Sequence, residues 1–150
     1  MRLREFFAND AVLLPLTAAH KDDVLAELVR LLHVDDKSAD TLLKLLRRRE
    51  SLGSTGVGRG IAIPHCRSLV VDQLRLAFGH SPAGIAYDAS DNQPVHHFFL
   101  IVAPPNEVSN QYLPTLGKIA QLAKEPGVPE ELARLASPEA FFQLLETKGV

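Results

Sequence analysis

The chain has 150 residues, 46% of them hydrophobic and 23% charged, with a formal net charge of −2 and one cysteine. That length predicts one domain over residues 1–150 with its own core. The charge lacks the basic excess of a nucleic-acid binder, and a lone cysteine forms no internal disulfide, as expected of a protein in a reducing cytoplasm. Phe98 to Ala103 is the longest apolar run, far short of the roughly 20 residues that span a bilayer. With Glu5 and Asp10 close behind Arg2 and Arg4, the N-terminus has no signal-peptide core. Neither membrane insertion nor nucleic-acid binding is expected.

Val12 to Leu16 is a short apolar run that Pro15 pushes toward an edge strand or a strand end. From about Ala19 to His33, Val24, Leu25, Leu28, Leu31 and Leu32 recur at helical spacing, which predicts a helix with one buried face. Ser38 is the expected N-cap of a second helix, whose apolar stripe is Leu42, Leu43, Leu45 and Leu46. Arg47, Arg48 and Arg49 fall in its last turn, where cations complement the negative helix end, and Gly53 ends it. Ile61 to Ile63 reads as a strand, with Ile63 held extended by Pro64. Leu74, Leu76 and Phe78 alternate with Arg75 and Ala77, a half-buried strand pattern. Residues 81 to 95, rich in Pro, Gly, Asp, Asn and Ser, read as a loop. Phe98 to Ala103 reads as a strand covered on both faces. Helices are expected near 110–124, 130–136 and 138–147, the last opened by Ser137, Pro138 and Glu139 as cap, N1 proline and first-turn acid. Helices on either side of a group of strands predict a three-layer α/β/α domain.

The stretch from Ser51 to His65 carries the chemistry. Gly53, Gly56, Gly58 and Gly60 accompany Ser54 and Thr55 just ahead of a short apolar run that ends in Pro64-His65. Glycines at this density let the backbone turn with positive φ and aim N–H groups into one concavity suited to an anion. Histidine, with an ordinary pKa of about 6.5, is a neutral nucleophile near pH 7. A phosphate-sized cradle beside His65 predicts phosphoryl chemistry on its imidazole. Two other glycine motifs fail. Gly53 and Gly58 have P-loop spacing, but Arg59-Gly60 replaces the lysine and the magnesium-binding hydroxyl. A dinucleotide fingerprint follows a strand and opens a helix, whereas this loop follows a helix and opens a strand.

The same residues resemble a known family. Arg49-Glu50-Ser51-Leu52-Gly53-Ser54-Thr55-Gly56-Val57-Gly58 and Gly60-Ile61-Ala62-Ile63-Pro64-His65 are similar to the active-site signature of phosphotransferase-system IIA domains of the fructose/mannitol class. The nitrogen-regulatory branch is nearest. The resemblance continues through Gly84 to Asp88, Asp91 to Val95 and Ser137 to Glu139, and covers nearly the whole chain. It implies a mixed sheet of four or five strands, with helices first on one face and then on the other. It also implies that His65 receives a phosphoryl group, at Nε2, from a phosphocarrier protein, without nucleotide, metal or other cofactor. Arg49 stands at the family's arginine position, where a planar guanidinium pairs two phosphate oxygens at once. Ser54, Thr55 and Gly56 are the expected phosphate contacts, although Ser54 and Thr55 equally suit a plain turn.

Two positions depart from the family. Tyr112, in Gln111-Tyr112-Leu113-Pro114-Thr115-Leu116, stands where a second histidine commonly precedes the leucine. The resemblance places it beside His65, as a phosphate-binding candidate. A phenol donates a hydrogen bond but stays neutral, with a pKa of about 10. Cys66 stands where glycine is usual. Adjacent side chains in an extended segment point to opposite faces, so Cys66 is expected to pack rather than to react with His65. His96 and His97 are expected to diverge in the same way, and no zinc signature is present, so no metal site is expected. His80, at the end of the strand after the loop, is expected near the site.

Three functions are carried forward. The first is a cytoplasmic phosphorelay protein of the nitrogen-regulatory type, which takes phosphate from a phosphocarrier and regulates partner proteins by its phosphorylation state. The second is a sugar-uptake component that hands phosphate to a IIB domain. The third is a binding module in which the change to Tyr112 has ended phosphorylation.

Overall fold

The computed structural model describes residues 2–106 and 110–150. After a 3-10 turn (Leu3–Phe6), the elements run β1 (Phe7–Leu13), α1 (Lys21–Arg30), α2 (Asp36–Ser51), β2 (Gly56–Gly58), β3 (Ile61–Ala62), β4 (His65–Arg67), β5 (Arg75–Ile85), β6 (Val95–Ala103), α3 (Tyr112–Lys124), α4 (Val128–Ala133) and α5 (Pro138–Thr147). The α2 cap differs from expectation. Asp35, not Ser38, is the N-cap, and its carboxylate accepts the Ser38 N–H at 2.6 Å. Both residue types cap well, and the helix starts one turn earlier than the Ser38 reading allowed.

The six strands form one mixed sheet in five lanes. Edge strand β1 runs parallel to β5, β5 antiparallel to β6, and β3 and β4 both parallel to β6. β2 closes the far side as a hairpin with β3. β3 and β4 share one lane, with Ile61 opposite His97 and His65 opposite Ile101. Between them Pro64 has no N–H to donate, though its carbonyl still accepts the Ile101 N–H at 3.0 Å. The lane is therefore one strand interrupted at Ile63-Pro64, immediately before His65.

Both faces of β5 and β6 are covered. One face carries Phe78 and Phe99, 4.9 Å apart, with Phe141 of α5 stacked on Phe78 at 4.3 Å. The opposite face carries Phe98 against Tyr87, whose ring lies beneath the Lys21 ammonium of α1. This makes three layers, and it explains why Ala77 is buried where alternation alone predicted exposure. β5 also continues into the segment read as a loop. It reaches Ile85 through a register shift after His80, with Gly84 at φ 81°, so Ser81 and Pro82 mark an irregularity within the strand.

His80 lies opposite His97, four positions along β6 from the partner of His65. It is thus at the other end of the sheet and not at the candidate site. The two imidazoles stack at 4.9 Å with Nδ1 atoms 3.0 Å apart, and His97 bonds the Pro129 carbonyl of α4. Burial, reinforced by the neighbouring His80 and His96, pushes the His97 pKa down to about 3. A histidine whose pKa falls on folding binds fewer protons when native. Its contribution to stability is therefore full above the unfolded value of about 6.5 and is lost as pH falls toward the folded one. Urea unfolding followed across that acid range is expected to show a steeper loss of stability for the wild type than for His97→Gln, by up to ~1.4 kcal/mol per pH unit. Parallel curves for the two proteins would contradict a neutral buried His97.

Candidate active site

The loop before His65 is a clamped hairpin. In the two-residue turn between β2 and β3, Arg59 and Gly60 have φ of 59° and 80°, the left-handed pair that matches strand twist in tight hairpins. Arg59 is not a glycine, but its guanidinium donates to the Ala123 and Glu125 carbonyls at the end of α3, at 2.7 and 2.9 Å. Gly56 packs so closely on Ala89 that an added Cβ would lie 2.7 Å from the Ala89 methyl. Ser54 Oγ donates to the Tyr87 carbonyl and accepts the Gly56 N–H, while Asp91 accepts the Arg59 N–H. The segment from Tyr87 to Asp91 is therefore the buttress of this loop.

Beneath the loop lies Glu50, buried in the last turn of α2. Its carboxylate accepts both the N–H and the hydroxyl of Thr55 and pairs with the Lys21 ammonium at 3.1 Å. Tyr87 Oη stands 3.3 Å from Thr55 Oγ1. Part of the N–H cradle expected from the glycines is engaged within the protein. Thr55 and Gly56 spend their N–H groups, and Ser54 and Thr55 their hydroxyls, on partners inside the protein. The glycines here also allow tight turning and close packing.

His65 opens β4, half-buried. Its Nδ1 lies 2.7 Å from the Ile63 carbonyl oxygen. A carbonyl only accepts, so Nδ1 carries the proton and the lone pair of the neutral ring resides on Nε2. This carbonyl lies at the break between β3 and β4, two residues before the ring it meets. Burial lowers the His65 pKa, and the nearby Arg49 charge adds to that. The Ile63 bond and Glu50 oppose it without reversing it. At neutral pH the ring is uncharged.

Tyr112, first residue of α3, faces His65 with ring centroids 6.2 Å apart. Burial pushes its phenol up to about 12, so it stays neutral. Arg49 is half-buried and donates to the Gly53 carbonyl at 2.8 Å, which holds it at the mouth of the loop. Its charge acts on both His65 and Tyr112. Cys66 is buried on the other face of β4, its thiol pushed up to about 12 by burial, and it is no nucleophile. His65, Arg49 and Tyr112 thus come together, while Ser54, Thr55 and Gly56 sit behind them as supports. Glu50, Lys21 and Arg67 escaped the sequence reading. Arg67 follows His65 by two residues on a strand, and that period-two spacing was the available signal. Among the described residues, no group of three histidine, cysteine or acidic side chains is placed to hold a metal ion, and no helix is long and apolar enough to cross a membrane.

Comparison with known proteins shows the family and the fold. Residues 5–148 match the family model described as phosphoenolpyruvate-dependent sugar phosphotransferase system, EIIA 2. A nitrogen regulatory protein of Pseudomonas aeruginosa is 31% identical over 97% of this chain and 95% of its own length. A fructose-specific EIIABC component of Bacillus subtilis is 30% identical over 97% of this chain, which spans only 23% of that longer protein. The crystal structure of the nitrogen regulatory protein IIA-Ntr from Neisseria meningitidis superposes with a TM-score of 0.85. It is 30% identical in sequence, with 94% of this chain and 97% of that one covered.

The buried Glu50 carboxylate generates the test of this architecture. Glu50→Ala strands the Lys21 ammonium and two Thr55 donors, and is expected to cost ~1–3 kcal/mol of stability. It should also release the Thr55 amide to fast hydrogen exchange. Unchanged unfolding and unchanged Thr55 protection would show that the loop is held by other contacts.

Proposed function

This chain belongs to the EIIA type-2 family of the phosphotransferase system, and we propose that it is a cytoplasmic phosphorelay protein of the nitrogen-regulatory type. In this reading His65 takes a phosphoryl group from a phosphocarrier protein, and partner proteins respond to the phosphorylated state. One observation carries the assignment. The Ile63 carbonyl holds the Nδ1 proton of a neutral His65 and so leaves Nε2 as the nucleophile. In the transfer, the Nε2 lone pair forms a bond to phosphorus while the donor's P–N bond breaks and returns its electron pair to the donor imidazole. Nδ1–H becomes more positive as Nε2 is phosphorylated, and the Ile63 carbonyl oxygen lies on that proton to stabilise it.

Arg49 stands beside this centre with no carboxylate partner among the described residues, and in the proposal its guanidinium pairs the phosphoryl oxygens. Ser54, Thr55 and Gly56 act at one remove, by holding the loop. A protein donor must dock here, and Leu52, Leu69 and Leu113 are large apolar side chains left exposed close in sequence to Arg49, Arg67 and Tyr112. Exposed apolar side chains beside charged ones are what a transient protein interface offers. The second reading, a fructose-type IIA component that passes phosphate to a IIB domain, is supported by the 30% identity to the fructose-specific relative. The acceptor separates the two readings, since a IIB domain would drain the label from a sugar-uptake component.

Incubation with a phosphorylated carrier is expected to add one acid-labile phosphoryl group to the wild type and none to His65→Ala. Retention of label in His65→Ala would overturn the assignment, and an unlabelled wild type would favour a binding module. Arg49→Lys keeps the charge but loses the bidentate fork, so transfer should slow by about tenfold, or ~1.4 kcal/mol in the barrier. Arg48→Lys should leave the rate alone. Equal rates for the two would reduce Arg49 to a helix-end cation.

A further inference from the structure

We propose that Arg67, braced on the Tyr112 ring, is the second cation of the phosphoryl site and binds oxygens of the group that His65 carries. This rests on the phosphorelay reading of His65. His65 and Arg67 are two residues apart on β4, so their side chains leave the same face of the strand. Cys66 between them is buried on the opposite face. Tyr112 meets both, with its ring centroid 6.2 Å from the His65 ring and 4.4 Å from the Arg67 guanidinium carbon.

The way Arg67 is held matters as much as where it is. Stacking a guanidinium on an aromatic face uses its flat side and leaves the N–H edges in the plane available. One edge, Nη1, donates to the Pro105 carbonyl at 3.2 Å. Among the described residues Arg67 has no carboxylate partner. An exposed arginine fixed at two points has given up part of the side-chain freedom that binding an anion would otherwise cost.

Charge balance supplies the need for it. A phosphoryl group near neutral pH carries close to two negative charges. The Tyr112 phenol, with its pKa about 12, contributes none. Arg49 approaches from the end of α2 and Arg67 from β4, and the charges of both act on Tyr112, which lies against His65. Tyr112 is thus the platform that holds a cation at the site. Arg67 stays protonated throughout the transfer and moves no proton, so its part is charge and geometry alone. If Arg67 merely covered the Tyr112 ring, its removal would change packing without changing anion binding.

The experiment compares wild type, Arg67→Gln, Arg67→Lys and Tyr112→Leu in two measurements. The first is the rate of phosphoryl transfer from a phosphorylated carrier. The second is the affinity for inorganic phosphate, followed by the ring resonances of His65. Arg67→Gln is expected to slow transfer by on the order of tenfold and to weaken phosphate binding by a similar factor. Arg67→Lys, which keeps the charge, should recover part of both. Tyr112→Leu, which removes the platform, should fall between Arg67→Gln and wild type. Wild-type rate and wild-type phosphate affinity in Arg67→Gln would overturn the proposal. If the carrier labels not even the wild type, the phosphorelay reading fails, and the phosphate titration still decides the role of Arg67. Weaker phosphate binding in Arg67→Gln then upholds it, and unchanged binding refutes it.

Discussion

Everything at this site depends on one hydrogen bond, from His65 Nδ1–H to the carbonyl of Ile63. A neutral imidazole has one proton and two nitrogens, and without a fixed acceptor it would divide its nucleophilicity between them. The Ile63 carbonyl settles the tautomer. It does so where the β3–β4 lane breaks, at Ile63-Pro64. The pairing resumes at His65 in the same register, so the ring is anchored at both its backbone and its Nδ1. The sheet thus presents a nucleophile of defined orientation, the form of preorganisation that lowers a transfer barrier at little cost at the moment of reaction.

The surroundings keep that arrangement in place. Glu50 ties α2 to the loop through Thr55 and to α1 through Lys21, while Ser54 and Asp91 tie the loop to the segment around Tyr87. A buried carboxylate is tolerable only when its partners are complete, and here an ammonium, an amide and a hydroxyl supply them. The Thr55 and Gly56 N–H groups of the loop therefore face inward. In the proposed reading, positive charge at the site comes from the Arg49 and Arg67 side chains.

Much of this was legible in the sequence, and the misses have physical causes. The continuous apolar run in β6 and the leucine stripe of α2 announced themselves because burial imposes their periods. β2 and β4 are three residues each, too short for any periodicity to register. The end of β5 was hidden by Ser81, Pro82 and Gly84, residue types that usually mark turns but here occupy an irregular stretch of strand. His65 and Arg49 stood out through the signature. Glu50 did not, because nothing in its neighbours shows that one side chain of a charged helix end turns inward. The glycines suggested an anion cradle, yet the Thr55 and Gly56 N–H groups bond to Glu50 and Ser54, and the Arg59 N–H to Asp91, pairings that glycine spacing does not reveal.

Tyr112 is neutral where the resemblance implies an ionisable imidazole, and in the proposal Arg67, stacked on its ring, supplies the missing charge. That arrangement has meaning only if the phosphoryl group arrives on the nitrogen facing these cations. The most direct measurement is nitrogen and phosphorus NMR of the phosphorylated protein, which identifies the bonded ring atom through its coupling to phosphorus. The Ile63 bond predicts phosphorus on Nε2 of His65 with the proton retained on Nδ1. Phosphorus on Nδ1 would require that bond to break, and would contradict the account at its foundation.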